Sequence, residues 1–261
     1  MRALNIAATG MLAQQMNVEV ISNNLANMNT TGFKRQRADF QDLLYQNLQR
    51  VGANSSDNGT ILPSGIQLGV GVKTGAVYRI TEQGNLTSTG NTYDMAVQGN
   101  GYFRVEMPSG EDGYTRAGSF QISPQGQIVT AKGYLVQPVI TIPQGATDVS
   151  INENGEVQAK LAGQTAPQTV GQIELATFFN EAGLEAIGDN TFMETPSSGP
   201  ANVGAPGTDG FGTVLQGFLE TANVNAVQEI TNLITAQRAY EMNAKVITAA
   251  DEMMSTMSNL R

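Results

Sequence analysis

The chain has 261 residues, 29 glycines, a formal net charge of −9, and no cysteine, histidine or tryptophan. The missing side chains exclude disulfides, thiolate and imidazole catalysis, and the usual zinc sites. The acidic balance argues against nucleic-acid binding, and no window approaches the roughly 18 apolar residues that a membrane span needs.

The first segment has the periodicity of an amphipathic helix. Its seam residues recur at steps of three and four and predict a helix about 33 Å long. Asn5, Thr9 and Gly10 interrupt the apolar run, so no secretory signal peptide is expected at this end. Gly32 is expected to end the helix, since glycine readily adopts the left-handed conformation of a C-cap. The seam consists of Leu4, Ala7, Met11, Gln14, Val18, Ile21 and Leu25.

An asparagine-rich stretch, SNNLANMNTTG, overlaps the end of this seam. Asn23, Asn24 and Asn27 make it too polar for an ordinary core helix. We hypothesise that these amides hydrogen-bond the backbone or side chains of neighbouring chains at a helix end, since polar groups in a seam can fix register and partner number.

The middle of the chain is typical of β-structure. Its first part, FKRQRADFQDLLYQNL, is predicted to be helical or extended, and the following QRVGANSSDNGTILP is predicted to be a flexible loop. From about Ser64 to Ala205, alternating segments such as YFRVEM and turns such as Asn154-Gly155 predict strands and hairpins. The Pro-, Gly- and Ser-rich residues 197–212 are predicted to be a linker.

Two motifs in the middle resemble ligand-binding motifs but lack residues that such sites require. GVGVKTG is not a phosphate loop, because Val72 separates Gly71 from Lys73, and its alternation favours a strand. NENGE has calcium-like spacing but lacks the rest of a calcium loop, so it is interpreted as a hairpin tip. No catalytic, cofactor-binding or metal-ligating residue is predicted.

The last segment predicts a long helix, since Thr221 to Arg261 contains neither glycine nor proline. Two neighbouring rows run along it, and a single partner helix covers only one of them. Further copies of the chain are therefore expected to cover the other row; the alternative is an intrachain antiparallel pair packed on the β-domain. One row is Ile230, Leu233, Gln237, Tyr240, Ala244, Ile247, Asp251 and Met254, and the second is Ala236, Ala239, Asn243, Val246, Ala250, Met253, Met257 and Leu260.

Both ends of the chain resemble the signatures of one family. SNNLANMNTTGFKRQ, with the upstream AATGM, resembles the N-terminal signature of the bacterial flagellar axial proteins, which include rod, hook and hook-associated proteins. ETANVNAVQEITNLITAQRAYEMNAKVITAADEM resembles their C-terminal signature, and VQGNGYFRV, YTRAGSFQ and GQIVTAKGYLVQP resemble the β-domain shared by rod and hook proteins. The chain has no room for the outer β-domain of a hook protein, and the stretch 45–65 resembles the segment that distinguishes distal rod subunits.

The order of helix, strands and helix predicts an α+β fold, in which long terminal helices pair as a coiled coil in a discontinuous domain. With the resemblance, the expected organisation is a terminal helical domain forming an inner tube (1–32 and 221–261), a connecting segment with the distal-rod-specific stretch (33–65), a β-rich outer domain (66–205) and a return linker (206–220).

The resemblance implies a non-enzymatic structural subunit of the flagellar basal-body distal rod. Copies would assemble into a straight, rigid, hollow shaft that transmits torque and passes exported subunits. The implied partners are further copies, proximal rod proteins, the hook protein, the P-ring and L-ring proteins and the flagellar type III export apparatus, with no cofactor, nucleic acid or membrane embedding. The implied location spans the periplasm to the outer membrane, with export that cleaves no signal peptide.

The terminal helices carry the residues expected at the subunit interface. On the N-terminal helix they are Leu4, Ala7, Met11, Gln14, Val18, Ile21, Asn23, Asn24, Leu25 and Asn27. On the C-terminal helix they are Ile230, Leu233, Gln237, Tyr240, Ala244, Val246, Ile247, Met253 and Met254.

Three other interpretations stay open from the sequence. A proximal rod or hook-type axial protein would share both terminal signatures. A secreted β-rich carbohydrate-active enzyme would need a convergent pair of acids in a cleft. An adhesin-like binding module would be a stable monomer with its terminal helices protected.

Overall fold

The computed structural model describes residues 2–49, 65–163 and 166–259 of an α+β protein, as the sequence predicts. Helix α1 is Arg2–Ala26, helix α2 is Ala226–Asn259, and the described chain between them is mainly β-structure. Most of the distal-rod-specific stretch, together with the predicted flexible loop, falls on residues 50–64, outside the described residues.

The strands described between the helices are short. In chain order they are β1 Gln36–Asp42, β2 Tyr45–Gln49, β3 Ile66–Gly69, β4 Val72–Arg79, β5 Leu86–Ser88, β6 Met95–Gln98, β7 Tyr102–Glu106, β8 Asp112–Thr115, β9 Phe120–Ile122, β10 Ile128–Thr130, β11 Leu135–Gln137, β12 Ala146–Ile151, β13 Glu156–Leu161, β14 Gln168–Gln172, β15 Leu175–Thr177, β16 Glu185–Gly188, β17 Thr191–Met193, β18 Asn202–Gly204, β19 Thr213–Gln216 and β20 Phe218–Glu220.

The chain divides into two compact units. Unit 1 consists of Met1–Leu25, Gln36–Tyr78 and Asn225–Arg261, and unit 2 of Ala26–Arg35 and Arg79–Val224. Both terminal helices therefore belong to one discontinuous unit. The residues of β3 and nearly all of β4 belong to that unit as well, whereas the sequence assigned residues from 66 onwards to the β-rich domain.

Unit 2 is built on a sheet with a core on each face. The strand order is β16-β17-β8-β7-β11-β10-β9, and β15 pairs with both β7 and β18. Side chains alternate across β7, so that Phe103 and Val105 enter the larger core while Tyr102 enters the smaller one. The smaller core is Tyr102, Tyr114, Ala176, Phe178, Leu184 and Phe192.

Local sequence signals predicted one part of unit 2 correctly and another part incorrectly. Asn154-Gly155 lies at the tip of the antiparallel β12–β13 hairpin, as predicted, and Gly155 has a φ of 75°. The second half of the expected return linker is instead paired: β19 is antiparallel to β6, and β20 is antiparallel to β5. Its glycines and prolines made this segment look like a linker, but Pro206 and Gly212 are buried.

Unit 1 contains two antiparallel ribbons besides the helices. Strand β1 pairs with β4, and β2 pairs with β3, so FKRQRADFQDLLYQNL is extended rather than helical. The phosphate-loop lookalike is confirmed as strand, since β4 begins at Val72. Gly71 has a φ of 128°, and a Cβ there would lie 2.2 Å from Thr9 Oγ1 of α1, so glycine is required by both conformation and space.

The helix ends differ from the prediction. Helix α1 ends at Ala26, before the Thr-Thr-Gly break, and Gly32 adopts its left-handed φ of 68° in the loop that follows. Helix α2 begins at Ala226 rather than Thr221. Asn225 explains that start, because its Oδ1 accepts hydrogen bonds from the N–H groups of Val227 (3.1 Å) and Gln228 (3.2 Å), which is an N-cap.

Candidate functional site

Three segments of unit 2 are hydrogen-bonded to one another where the chain passes between units. We call them the neck and define it as residues 30–35, 79–84 and 220–224. Unit boundaries fall directly after residue 35, before residue 79 and after residue 224. The neck therefore fixes the positions at which three passages of the chain leave unit 2.

The side chain of Asn223 joins its own neck segment to the other two. Its Oδ1 accepts from Arg35 N at 2.7 Å, and its Nδ2 donates to Ile80 O and Glu82 O, both at 2.9 Å. Backbone bonds add to these contacts, since Ile80 N donates to Arg35 O at 2.9 Å and Asn223 N donates to Phe33 O at 3.4 Å. One amide thus uses both of its donors and its acceptor to join segments that are distant in sequence.

A buried ionic network lies within the neck. Lys34 Nζ is 2.6 Å from Glu220 Oε1, which also accepts from Gly84 N at 2.8 Å, and Arg116 Nη1 is 3.5 Å from Glu220 Oε2. The side chains of Lys34 and Glu220 are only 2% and 1% exposed. Burial lowers the pKa of Lys34, and the neighbouring Glu220 carboxylate opposes that shift. The neck therefore depends on the Glu220 carboxylate to balance the buried charges of Lys34 and Arg116, because water does not reach these groups to solvate them.

Close backbone approach explains the glycine of the Thr-Thr-Gly break. Gly32 N donates to Glu220 O at 2.8 Å, and a Cβ on Gly32 would lie 2.7 Å from both Ala117 N and Arg116 C. Asn190 Nδ2 also donates to Thr31 O at 3.1 Å. Gly32 is therefore part of the neck and does not cap α1.

The helices of unit 1 run antiparallel. Asn24 Nδ2 lies 3.4 Å from Glu229 Oε2, and a Cβ on Gly10 would lie 2.9 Å from Asn243 Nδ2. Moving 14 residues back along α1, from 24 to 10, corresponds to moving 14 residues forward along α2, from 229 to 243. The intrachain antiparallel pair left open by the sequence is therefore present, and it brings Gly10 against α2.

The side-chain amide of Asn24 hydrogen-bonds the backbone of Gln36 in the way that a neighbouring strand would. Its Nδ2 donates to Gln36 O and its Oδ1 accepts from Gln36 N, both at 2.8 Å. Asn24 is 1% exposed, so this amide is used within the chain. The hypothesis that it bonds a neighbouring chain does not match this placement.

Asn24→Ala should lower the free energy of unfolding by about 1–3 kcal/mol, because it leaves the N–H and C=O of Gln36 without their amide partner. Denaturant unfolding monitored by circular dichroism measures this change. Ser22→Ala, at an exposed position of the same helix, is the control and should stay within about 0.5 kcal/mol of the wild type. Equal losses in the two variants would contradict the role assigned to Asn24.

The remaining interface residues predicted on α1 divide by exposure. Ala7 and Ile21 are buried within the chain, like Asn24, and are used in its own packing. The others are partly or fully accessible, and their interface role stays a prediction: Leu4, Met11, Gln14, Val18, Leu25 and Asn27 are half-buried, and Asn23 is exposed.

Helix α2 leaves more of its apolar surface exposed. Ala236 and Ala250 of the second row are buried, so that row, rather than the first, contains the fully buried alanines. Of the predicted interface residues, Ile230, Gln237, Tyr240, Val246 and Met253 are exposed, and Leu233, Ala244, Ile247 and Met254 are half-buried. Their interface role also stays a prediction.

One apolar stripe of α2 is exposed along four positions. We call Met242, Val246, Met253 and Met257 the outer stripe; their spacing of four, seven and four residues places them on one helix face. Met253 and Met257 are 65% and 72% exposed. The sequence rows missed Met242, and on α1 they missed exposed Ile6 and Leu12, which lie off the predicted seam.

The described residues contain no group of three or more acidic side chains placed to hold a metal ion. None of the described helices is long and apolar enough to span a membrane. The features that stand out are the outer stripe and the neck. Together with the fold, they define a class: an α+β protein whose two ends share one helical unit with an exposed apolar stripe.

Comparison with known proteins identifies the family. Residues 4–34 match the flagella basal body rod protein family, residues 96–159 match the flagellar hook protein FlgE/F/G D1 domain, and residues 215–260 match the flagellar basal body rod FlgEFG protein C-terminal family. The flagellar basal-body rod protein FlgG of Caulobacter vibrioides is 64% identical over 261 residues, which is 100% of both chains.

More distant relatives carry the same name. FlgG of Agrobacterium fabrum is 52% identical over 258 residues, covering 99% of this chain and 98% of the relative. FlgG of Bacillus subtilis is 38% identical over 267 residues, covering 100% and 99%. The chain belongs to the flagellar basal-body rod protein family, and it is a structural subunit of the rod.

Proposed function

We propose that copies of this chain assemble into the distal rod, a straight and rigid hollow shaft, and that it has no catalytic role. The observation that carries the proposal is the outer stripe of α2. Burying one aliphatic or methionine side chain is worth about 1.5–3 kcal/mol, so four exposed members of one stripe favour association with further copies. The names of the relatives support the rod rather than the hook among the axial proteins.

The torque-bearing role is supported by the neck. The three passages of the chain are held there by the Asn223 amide and by the Lys34–Glu220 pair, both within unit 2. Such a cluster resists separation of the segments, because each would lose buried hydrogen bonds or a buried counter-charge. A subunit of a rotating shaft has to keep these segments together under load, because they lie next to the boundaries between the two units.

The proposed setting follows the family. Proximal rod proteins below, the hook protein above, and the surrounding P-ring and L-ring proteins are the proposed partners, and the shaft is proposed to span the periplasm to the outer membrane. Passage through the flagellar type III export apparatus, without cleavage of a signal peptide, completes the proposal. The terminal helices are proposed to build the inner tube through which later subunits pass.

Electron microscopy of the concentrated, purified protein tests the proposal. Straight hollow tubes are expected, with a length distribution that grows with protein concentration. Curved tubes would move the assignment to a hook-type axial protein. A stable monomer or closed dimer at every concentration, with both terminal helices protected from protease, would contradict self-assembly and favour the adhesin-like alternative.

A further inference from the structure

The exposed methionines of the described chain are concentrated on one surface. Met242, Met253 and Met257 of the outer stripe are 61%, 65% and 72% exposed. Among the other methionines of the described residues the most exposed is Met28, at 39%, while Met95 is fully buried. The surface proposed above for association therefore carries the most accessible thioether groups in the described part of the chain.

The antiparallel pairing of the helices explains why two of these methionines are so exposed. It aligns position 24 of α1 with 229 of α2 and position 10 with 243, so the start of α1 at Arg2 corresponds to position 251. Helix α2 continues to Asn259. Met253 and Met257 follow the position opposite the start of α1, so the described helix α1 does not cover them.

Thioether chemistry makes these positions targets of two-electron oxidants. A peroxide transfers one oxygen atom to the methionine sulfur: the S–O bond forms as the O–O bond breaks, the sulfur loses two electrons, and water leaves. The chain contains no cysteine or tryptophan that would compete for the oxidant. Hydrogen peroxide is uncharged, so the acidic Glu252 beside Met253 does not repel it.

Oxidation changes the outer stripe from apolar to polar. Methionine sulfoxide is a polar, chiral group that disrupts methionine-rich interfaces, and methionine sulfoxide reductases convert it back to the thioether. Burial of one methionine side chain contributes about tenfold to a hundredfold to an association constant. Three sulfoxides on one stripe would therefore remove most of the apolar gain that favours association.

We propose that Met242, Met253 and Met257 form a reversible oxidation site whose sulfoxide form keeps the free chain out of the assembly. The oxidant is a peroxide. The reductant is a dithiol, which becomes a disulfide while the sulfoxide oxygen leaves as water. The effect on assembly rests on the proposed function, because it requires that copies cover the outer stripe.

Peptide mass spectrometry of the monomer after treatment with dilute hydrogen peroxide locates the oxidation. The three stripe methionines should each gain one oxygen atom about tenfold faster, or more, than a buried methionine, because the reaction needs access to the sulfur. Met95 and Met107 are buried and serve as controls within the same chain. Equal rates at exposed and buried methionines would contradict the proposed site.

The critical concentration for assembly, measured before and after peroxide treatment, tests the consequence of oxidation. In the wild type it should rise about a hundredfold or more, and a methionine sulfoxide reductase with dithiothreitol should restore the starting value. In the triple variant Met242→Leu, Met253→Leu and Met257→Leu, peroxide should leave the critical concentration unchanged. Leucine keeps the apolar volume but has no sulfur to oxidise.

The matched control is Met16→Leu combined with Met28→Leu, which should keep the full response to peroxide. Loss of the response in this control would show that the oxidation site lies elsewhere. If the wild type carries all three sulfoxides and still assembles at its untreated concentration, the inference is wrong and the rod assignment stands. If the untreated wild type forms no filament at any concentration, the proposed function and this control of assembly both fail. Circular dichroism of each monomer confirms that the treated chains and the variants are folded.

Discussion

Glu220→Gln is expected to lower the free energy of unfolding by about 3–5 kcal/mol, because it leaves Lys34 and Arg116 buried without their counter-charge. The carboxylate is 1% exposed, lies 2.6 Å from Lys34 Nζ and 3.5 Å from Arg116 Nη1, and accepts from Gly84 N. Water does not reach this buried site to solvate the two cations. Chemical denaturation of the monomer measures the change.

Glu174→Gln is the matched control for this prediction. Glu174 pairs with Arg104 at 3.2 Å, but its side chain is 39% exposed. Exposed ion pairs contribute little, so the expected loss is below about 1 kcal/mol. If both substitutions lower the free energy of unfolding equally, the neck is not held by its buried charges, and the role assigned to the Lys34–Glu220 pair is wrong.

Val246→Asp combined with Met253→Asp should raise the critical concentration for assembly by about a hundredfold or more. Each change removes an apolar side chain worth about 1.5–3 kcal/mol of burial, which together corresponds to two or more decades of affinity. Both residues are exposed in the single chain, so the stability of the monomer should change little. Sedimentation of filaments from monomer measures the critical concentration.

Thr248→Asp combined with Ser255→Asp is the control. These residues are also exposed and seven positions apart on α2, but they lie off the outer stripe. The control double variant should assemble near the wild-type concentration. Equal loss of assembly in both double variants would show that added negative charge, rather than removal of the outer stripe, blocks assembly.

Local sequence patterns predicted correctly those elements that depend only on neighbouring residues. The terminal helices follow from a three-and-four spacing, and the β12–β13 hairpin follows from Asn154-Gly155. The strand reading of GVGVKTG was correct for the same reason, since alternation requires no distant partner. The family resemblance, carried by both ends of the chain, is confirmed by the comparisons.

The neck could not be predicted, because its contacts join residues far apart in sequence. Asn223 bonds Arg35 across 188 positions and Ile80 across 143. The signal was present in the sequence as a polar ETANVN segment before α2, but composition alone assigned it to the helix. Likewise, β19 and β20 look like linker until their partners β6 and β5 are known.

The asparagines of SNNLANMNTTG show the same limit at one residue. Their polarity predicted hydrogen bonding at the helix end, and Asn24 does bond there. The partner is the backbone of Gln36 in the same chain, which the sequence could not distinguish from a neighbouring copy. Because Asn24 is used internally, the proposed association of copies rests on the outer stripe of α2.

Thiol labelling of a single Val246→Cys variant tests most directly whether further copies cover the outer stripe. The chain has no natural cysteine, and Val246 is 48% exposed in the single chain, so the monomer should react rapidly with a maleimide. In sedimented filaments the reaction should slow by about tenfold or more, whereas Lys160→Cys, at an exposed position of β13, calibrates reagent access. If the introduced thiol reacts in filaments as fast as in the monomer, copies of the chain do not cover this face, and the account of assembly through the terminal helices is wrong.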